Sequence, residues 1–311
     1  MLRQALLALS ARGPARDAIM ATPATRSVVA RFVAGETIDE ALAVTASLTA
    51  ASRLVTIDFL GEDTADPGQA TAVTDEYVRL LARLCEAGLA AGGRAEVSVK
   101  PTAVGLGLPV VGEKTALENI RRVAAAARNA GTTVTIDMED HTRVDATLRL
   151  VRELRADFPD LGCVIQSYLR RSPGDCEALA VAGSRVRLCK GAYQGPDGFA
   201  FAARSEIDRS YARCMRILLD GGGYPMLATH DPRLIAIAKS RVTTIGRDSG
   251  SFEYQMLYGI RTDEQARLAA EGAQVRVYVP YGSDWYGYFM RRLAERPANL
   301  TFFLRALASR H

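Results

Sequence analysis

Cysteine and histidine are scarce in this chain of 311 residues. The five cysteines, Cys85, Cys163, Cys176, Cys189 and Cys214, are scattered. None forms a C-x-x-C pair or a metal-ligand spacing, so they read as reduced thiols of a cytoplasmic protein. The three histidines, His141, His230 and His311, are too few for most histidine-based metal sites, and no metal is expected. The net charge is only +4, with arginines and acids interspersed. No basic stripe exists, so nucleic acid is not an expected partner. No run reaches the roughly 18 apolar residues that a membrane span needs. A G-x-S-x-G elbow is missing. Gly105-x-Gly107 lacks the third glycine of a dinucleotide fingerprint. The stretch from Gly107 to Thr115 nearly matches a phosphate-binding loop, but an extra residue separates Gly112 from Lys114. That residue is Glu113, which brings negative charge into an anion cradle.

Apolar residues are abundant, at 48%, so a large buried core is possible. The first thirty residues are rich in Arg and Ala, with Asp17 the only acid. That composition fits a transit peptide, but Leu2, Leu6, Leu7 and Leu9, then Val28, Val29 and Phe32, fit the packing stripes of a helical arm. We assign residues 1–50 to that arm.

From residue 53 short β-branched runs alternate with longer helical ones. Strands are expected at 54–60, 95–100, 133–137, 163–168, 185–189, 225–229, 242–245 and 275–279. Most look apolar on both faces, as buried parallel strands do. Helices are expected at 74–91 (with Thr74 as N-cap), 114–130, 144–156, 174–182, 199–220, 232–240, 252–272 and 285–296, the seventh broken near Gly259. Eight alternations over about 250 residues are the arithmetic of an α/β fold, a (β/α)8 TIM barrel, here residues 51–311. A doubly wound sheet usually has fewer strands and a glycine-rich first turn, which is missing here.

The last segment stands out. A β-branched run ends in Pro280-Tyr281-Gly282, and the helix behind it carries Arg291, Arg292 and Glu295. At separations of three and four residues their charges lie together on a helix. A solvated salt-bridged face is the ordinary meaning of such spacing. The rest of the chain adds another. Barrel chemistry gathers at the C-terminal ends of strands. Those positions hold Lys100; Asp137, Glu139, Asp140 and His141; Gln166 and Tyr168 to Arg171; Arg187, Lys190 and Tyr193; Thr229, His230 and Asp231; and Tyr278. Arg187, Lys190, Arg291 and Arg292 suit anionic groups such as a pyrophosphate and a carboxylate. Asp137 and Glu295 suit an amine or ring N–H. Tyr193 and Tyr278 suit the walls of a small pocket.

The segments Lys190-Gly191-Ala192-Tyr193, Ala228-Thr229-His230-Asp231, Phe252 to Gly259, and Tyr278 to Gly282 with Arg291-Arg292-x-x-Glu295 resemble the proline dehydrogenases. The short monofunctional bacterial form is the nearest match, from about residue 50 onward. The resemblance implies a distorted barrel whose last helix covers the C-terminal mouth. It implies non-covalent FAD and oxidation of L-proline to Δ1-pyrroline-5-carboxylate, by hydride transfer from C5 to flavin N5. Electrons would pass to a membrane quinone, which implies peripheral contact with the inner face of the cell membrane. The product would go on to a pyrroline-5-carboxylate dehydrogenase. Carried over by motif, Lys100, Arg291 and Arg292 hold the proline carboxylate and Glu295 partners its nitrogen. Tyr193, Leu257 and Tyr278 are pocket walls, with Asp137 beside them. Gln166, Arg187, Lys190, Gly191, Ala192, Thr229 and His230 contact the flavin, as does Arg292 from its other side. Arg187 is expected near flavin N1, where a cation stabilises the reduced anionic ring. Two positions depart or stay open. Gln194 stands where long bifunctional relatives have Trp, and either Glu62 or Asp63 is a candidate acid to pair with the first arginine and close a gate.

Two rivals compete. One is a lyase or aldolase-type barrel using Lys100 or Lys190 as a Schiff base, since desolvated lysines at strand ends do that work. The other is an inactive barrel serving as a binding scaffold.

Overall fold

The computed structural model describes residues 23–61, 64–193 and 195–295. Eight parallel strands close into a barrel in chain order. They are β1 Leu54–Phe59, β2 Ala95–Val99, β3 Val134–Ile136, β4 Gly162–Gln166, β5 Arg185–Cys189, β6 Tyr224–Ala228, β7 Glu253–Leu257 and β8 Val275–Tyr281. Closure is made by β1 on β8, from Leu54↔Arg276 to Phe59↔Tyr281. Helices α1 Pro23–Ala30 and α2 Ile38–Ala50 precede the barrel. Around it run α3 Pro67–Glu86, α4 Gly112–Asn129, α5 Val144–Leu154, α6 Ser172–Leu179, α7 Arg204–Asp220, α8 Pro232–Ile245, α9 Thr262–Ala270 and α10 Trp285–Glu295. The expected (β/α)8 barrel is therefore the fold. Among the described residues, no helix is long and apolar enough to cross a membrane.

Two expectations need correction. Residues 242–245 are not a strand; they finish α8, which Gly246 ends at φ 65. β-branching costs a helix only tenths of a kcal/mol per residue. Here the Thr243 and Thr244 hydroxyls also bond back to the Lys239 and Ser240 carbonyls, at 3.0 and 2.8 Å. The seventh strand lies instead at 253–257, inside the stretch expected to be helical. Likewise α3 starts at Pro67, not Thr74. Asp66 caps it, accepting from the Gln69 amide at 3.0 Å, while Thr74 bonds to the Ala70 carbonyl within the helix.

The inner faces of the strands also differ from expectation, being polar. Val55, Ile57, Val97 and Val99 point outward into the main apolar core with Tyr77, Leu80 and Leu81 of α3. Their neighbours point inward. Buried Glu96 accepts from Thr56 at 2.9 Å and Thr135 at 3.1 Å, and pairs with Arg185 at 2.7 Å. Burial pushes the Glu96 carboxyl up, but Arg185, Arg276 and Arg187 more than offset it and hold it at about 2. Arg276 pairs with buried Glu253 at 2.7 Å. Higher up, Arg187 pairs with Asp137 at 2.6 Å and Lys100 with Asp58 at 2.6 Å. Each of these buried charges thus has a partner, as a low-dielectric interior requires.

The N-terminal segment and the final helix meet. Val28, Val29, Phe32 and Val33 share an apolar cluster with Leu60, Trp285, Phe289 and Met290. Fully burying a side chain such as Phe289 contributes roughly 1.5–3 kcal/mol. Polar links pin the junction. The Ala34 amide donates to the Pro280 carbonyl at 2.9 Å, and the Trp285 indole donates to Glu36 at 2.8 Å. Leu2, Leu6, Leu7 and Leu9 lie outside the described residues. Behind β7, Gly259 has φ 70, and a Cβ there would sit 1.7 Å from the Arg31 carbonyl oxygen. Gly259→Ala should therefore cost at least about 2 kcal/mol, from left-handed backbone strain and the clash together. Urea unfolding measures it; an unchanged midpoint would mean that this approach is not maintained.

Candidate active site

Several of the expected residues lie at the C-terminal ends of the strands, where two ionic sets stand out. The first joins adjacent strands. Lys100, one residue past β2, puts Nζ 2.8 and 2.6 Å from the two Asp58 carboxylate oxygens. Asp58 belongs to β1, paired with Ser98, and is buried. The second set crosses the barrel. Arg187 of β5 donates through Nη1 to Asp137 Oδ1 at 2.6 Å and to Ser98 Oγ at 3.0 Å. The Tyr278 hydroxyl of β8 donates to Asp137 Oδ2 at 2.8 Å. The Arg187 guanidinium also lies 5.2 Å from the centre of the Tyr278 ring. Burial first, and the Asp137 charge second, push the Tyr278 phenol well above its ordinary range, so it stays a neutral donor.

Arg187 still has unmet capacity. Its Nε and Nη2 are buried without a hydrogen-bond partner among the described residues. On adjacent β4, Gln166 donates to the Met138 carbonyl at 2.7 Å, but its buried Oε1 also lacks a partner. Nη2 does lie 3.9 Å from Glu96 Oε1, so Nε and Gln166 Oε1 are the donor and acceptor with neither a hydrogen bond nor an ionic contact in this set.

The rim of β5 and β6 is different. Lys190 bonds to Asp208 and, at 3.2 Å, to Asp231. Arg233 grips the same two acids at 2.9 and 2.7 Å. The Arg233 hydrogen bond holds Asp231 well below the ordinary carboxylate range. Lys190 thus already has two carboxylates. Thr229 Oγ1 accepts from the Asp231 amide at 3.1 Å. His230 Nε2 accepts from the Leu257 amide at 2.9 Å, which ties the β6 loop to the end of β7. That bond puts the ring proton on Nδ1 when the imidazole is neutral. Gly191 has φ 96, and a Cβ there would meet the Tyr168 ring at 2.3 Å, so the turn needs glycine. Ala192 and Tyr193 follow it, both exposed.

Arg291 and Arg292 of α10 are half-buried, and the Arg292 guanidinium lies 5.1 Å from the Tyr288 ring centre. Glu295 ends α10, and its side chain lies outside what is described, as do Glu62, Asp63 and Gln194. Sequence reasoning missed Asp58 and Ser98. The signal was available: Thr56 and Asp58 on β1, and Glu96 and Ser98 on β2 with Lys100 just past it, alternate with valine and isoleucine.

Comparison with known proteins identifies the family. A family model described as proline dehydrogenase matches residues 41–305. The proline dehydrogenase of Deinococcus radiodurans is 43% identical over 279 residues, covering 89% of each chain. Proline dehydrogenase 1 of Bacillus subtilis is 39% identical over 283 residues, covering 91% of each. A solved structure of proline utilization A from Bdellovibrio bacteriovorus, inactivated by N-propargylglycine, superposes with a TM-score of 0.80 at 26% identity. That match covers 87% of this chain and 33% of the other, so this chain spans about a third of that longer protein.

Proposed function

The chain belongs to the proline dehydrogenase family, an enzyme family that oxidises proline, and on that premise we propose FAD-dependent conversion of L-proline to Δ1-pyrroline-5-carboxylate. The observation that carries the cofactor is the unmatched set on β4 and β5. Arg187 Nε and Gln166 Oε1 offer a donor and an acceptor, which suit the edge of an isoalloxazine ring. Lys190, Gly191, Ala192, Thr229 and His230 would follow the rest of the cofactor along the β5 and β6 rim. A bound flavin would supply the sink for the two electrons of the oxidation.

The chain's own residues supply the rest. A zwitterionic ring needs cations at its carboxylate and an acid at its nitrogen. Lys100, Arg291 and Arg292 would hold the carboxylate, and Glu295 would face the nitrogen. The rings of Tyr193 and Tyr278, with Leu257, would bound the aliphatic carbons and keep water out. Because the Tyr278 hydroxyl is held by Asp137, its ring plane is fixed before substrate arrives. In the reaction the C5–H bond breaks and its electron pair leaves. The nitrogen gives up a proton, and a C=N bond forms. Electrons then pass to a membrane quinone at the inner face of the membrane, and the product suits a pyrroline-5-carboxylate dehydrogenase.

The Schiff-base reading is not favoured. An attacking lysine must be a free amine, whereas Lys100 is clamped by a buried carboxylate and Lys190 by two. The test is an absorbance spectrum of the purified protein before and after L-proline. Flavin bands should be present, should bleach with proline, and should return with a soluble quinone. A colourless preparation that takes up no added FAD would overturn the proposal.

A further inference from the structure

We propose that Asp58 is the positioning residue for Lys100, holding its ammonium at the barrel mouth as a permanent cation for the substrate's carboxylate. This rests on the reading that Lys100 faces that carboxylate.

The geometry is specific. A lysine on a four-carbon stem has no preferred direction of its own. Here both Asp58 oxygens lie within 2.8 Å of Nζ. The Asp58 side chain is 1% exposed and that of Lys100 14%, so water contributes little to holding the charge. Tyr77 packs behind Asp58. The Tyr77 hydroxyl of α3 lies 3.4 Å from Asp58 Oδ1 and donates to the Ser98 carbonyl at 2.8 Å. The same hydroxyl accepts from the Phe59 amide at 3.2 Å. Tyr77 thus ties α3 to the backbones of β1 and β2, where Asp58 and Ser98 are in register. Other charged and titratable groups of the described residues near this pair include Asp137 beside β3, Arg187 of β5 and Tyr278 of β8. Asp137 and Arg187 already bond to each other, and Tyr278 bonds to Asp137. Asp58 thus meets the Lys100 ammonium with both of its carboxylate oxygens. Without it, a nearly buried ammonium loses a counter-charge that meets it through two oxygens, and burial then weighs more toward the neutral amine.

The experiment measures the Kd of tetrahydrofuran-2-carboxylate, an isostere of proline with no amine to titrate. Calorimetry from about pH 6 to about pH 9 compares the wild type, Asp58→Asn, Lys100→Met and the double variant. The wild type should be flat across that range. Asp58→Asn should weaken by about tenfold per pH unit once Lys100 neutralises, the slope for linkage to a single proton. Lys100→Met should be weak and flat, and the double variant should match it. An Asp58→Asn profile parallel to the wild type would overturn the proposal. So would a double variant clearly weaker than Lys100→Met, since Asp58 would then act by another route. If Asp58→Asn alone does not fold, the double variant, which removes both charges together, still decides the second point. A wild type that neither binds the ring acid nor oxidises proline would instead count against the function itself.

Discussion

Replacing Arg291 or Arg292 with Met should weaken the binding of L-proline and of ring carboxylates by about 2–5 kcal/mol, the usual cost of truncating one side of a desolvated charge pair. At the lower end that is roughly a thirty-fold rise in Kd. Methionine keeps most of the apolar stem, so the loss belongs to the guanidinium. Both arginines are half-buried on α10, whose apolar face is anchored by Trp285, Phe289 and Met290 against Val28 to Val33. The helix should therefore stay in place in either variant, and near-native thermal unfolding would show that it does. KM for proline and Kd for tetrahydrofuran-2-carboxylate should rise together. If both stayed within about twofold of the wild type, the arginines would be removed from the carboxylate site, and the salt-bridged helix face would be the better account of them.

The second large effect is expected at Arg187. Arg187→Met leaves Asp137 buried, with the Tyr278 hydroxyl as its remaining donor in the set described here. Breaking a buried pair in this way costs about 3–5 kcal/mol, because one charge is stranded. Urea unfolding of the apoprotein measures it without reference to turnover. Adding Asp137→Asn should recover much of the loss, since an amide carries no charge to strand. If the proposed flavin sits beside Arg187, its midpoint potential supplies a separate reading: it should fall when that cation is removed. A stability change under about 1 kcal/mol would mean that the pair is better hydrated than its burial implies. An unmoved potential would remove Arg187 from the flavin's electrostatic environment.

The barrel was legible in the sequence because alternation of short and long runs survives errors in single elements. Seven strands fall where the β-branched runs lie. The seventh in order was misplaced for a physical reason. Glu253 and Gln255 face a polar interior, so β7 lacks the apolar run that marks a buried parallel strand. Meanwhile Val242 to Ile245 look like a strand but extend a helix whose earlier turns are already formed. The same polarity explains the missed site residues. Attention to residues just past each strand finds Lys100, Asp137 and Tyr193. It passes over Asp58 and Ser98, which lie within strands and turn inward. Pairing across the barrel could not be read at all. Asp137 and Tyr278 are 141 positions apart, and only closure of β8 onto β1 brings them within hydrogen-bond reach.

The balanced interior has a kinetic consequence. Glu96 with Arg185, Glu253 with Arg276, Asp58 with Lys100 and Asp137 with Arg187 cancel one another inside a single cylinder. Such a cylinder projects little field into solution, and its proposed substrate carries no net charge either. Steering, which can speed encounter by orders of magnitude and fades with ionic strength, has nothing here to act on. Arrival would be ordinary diffusion, indifferent to salt, and discrimination would begin only at contact.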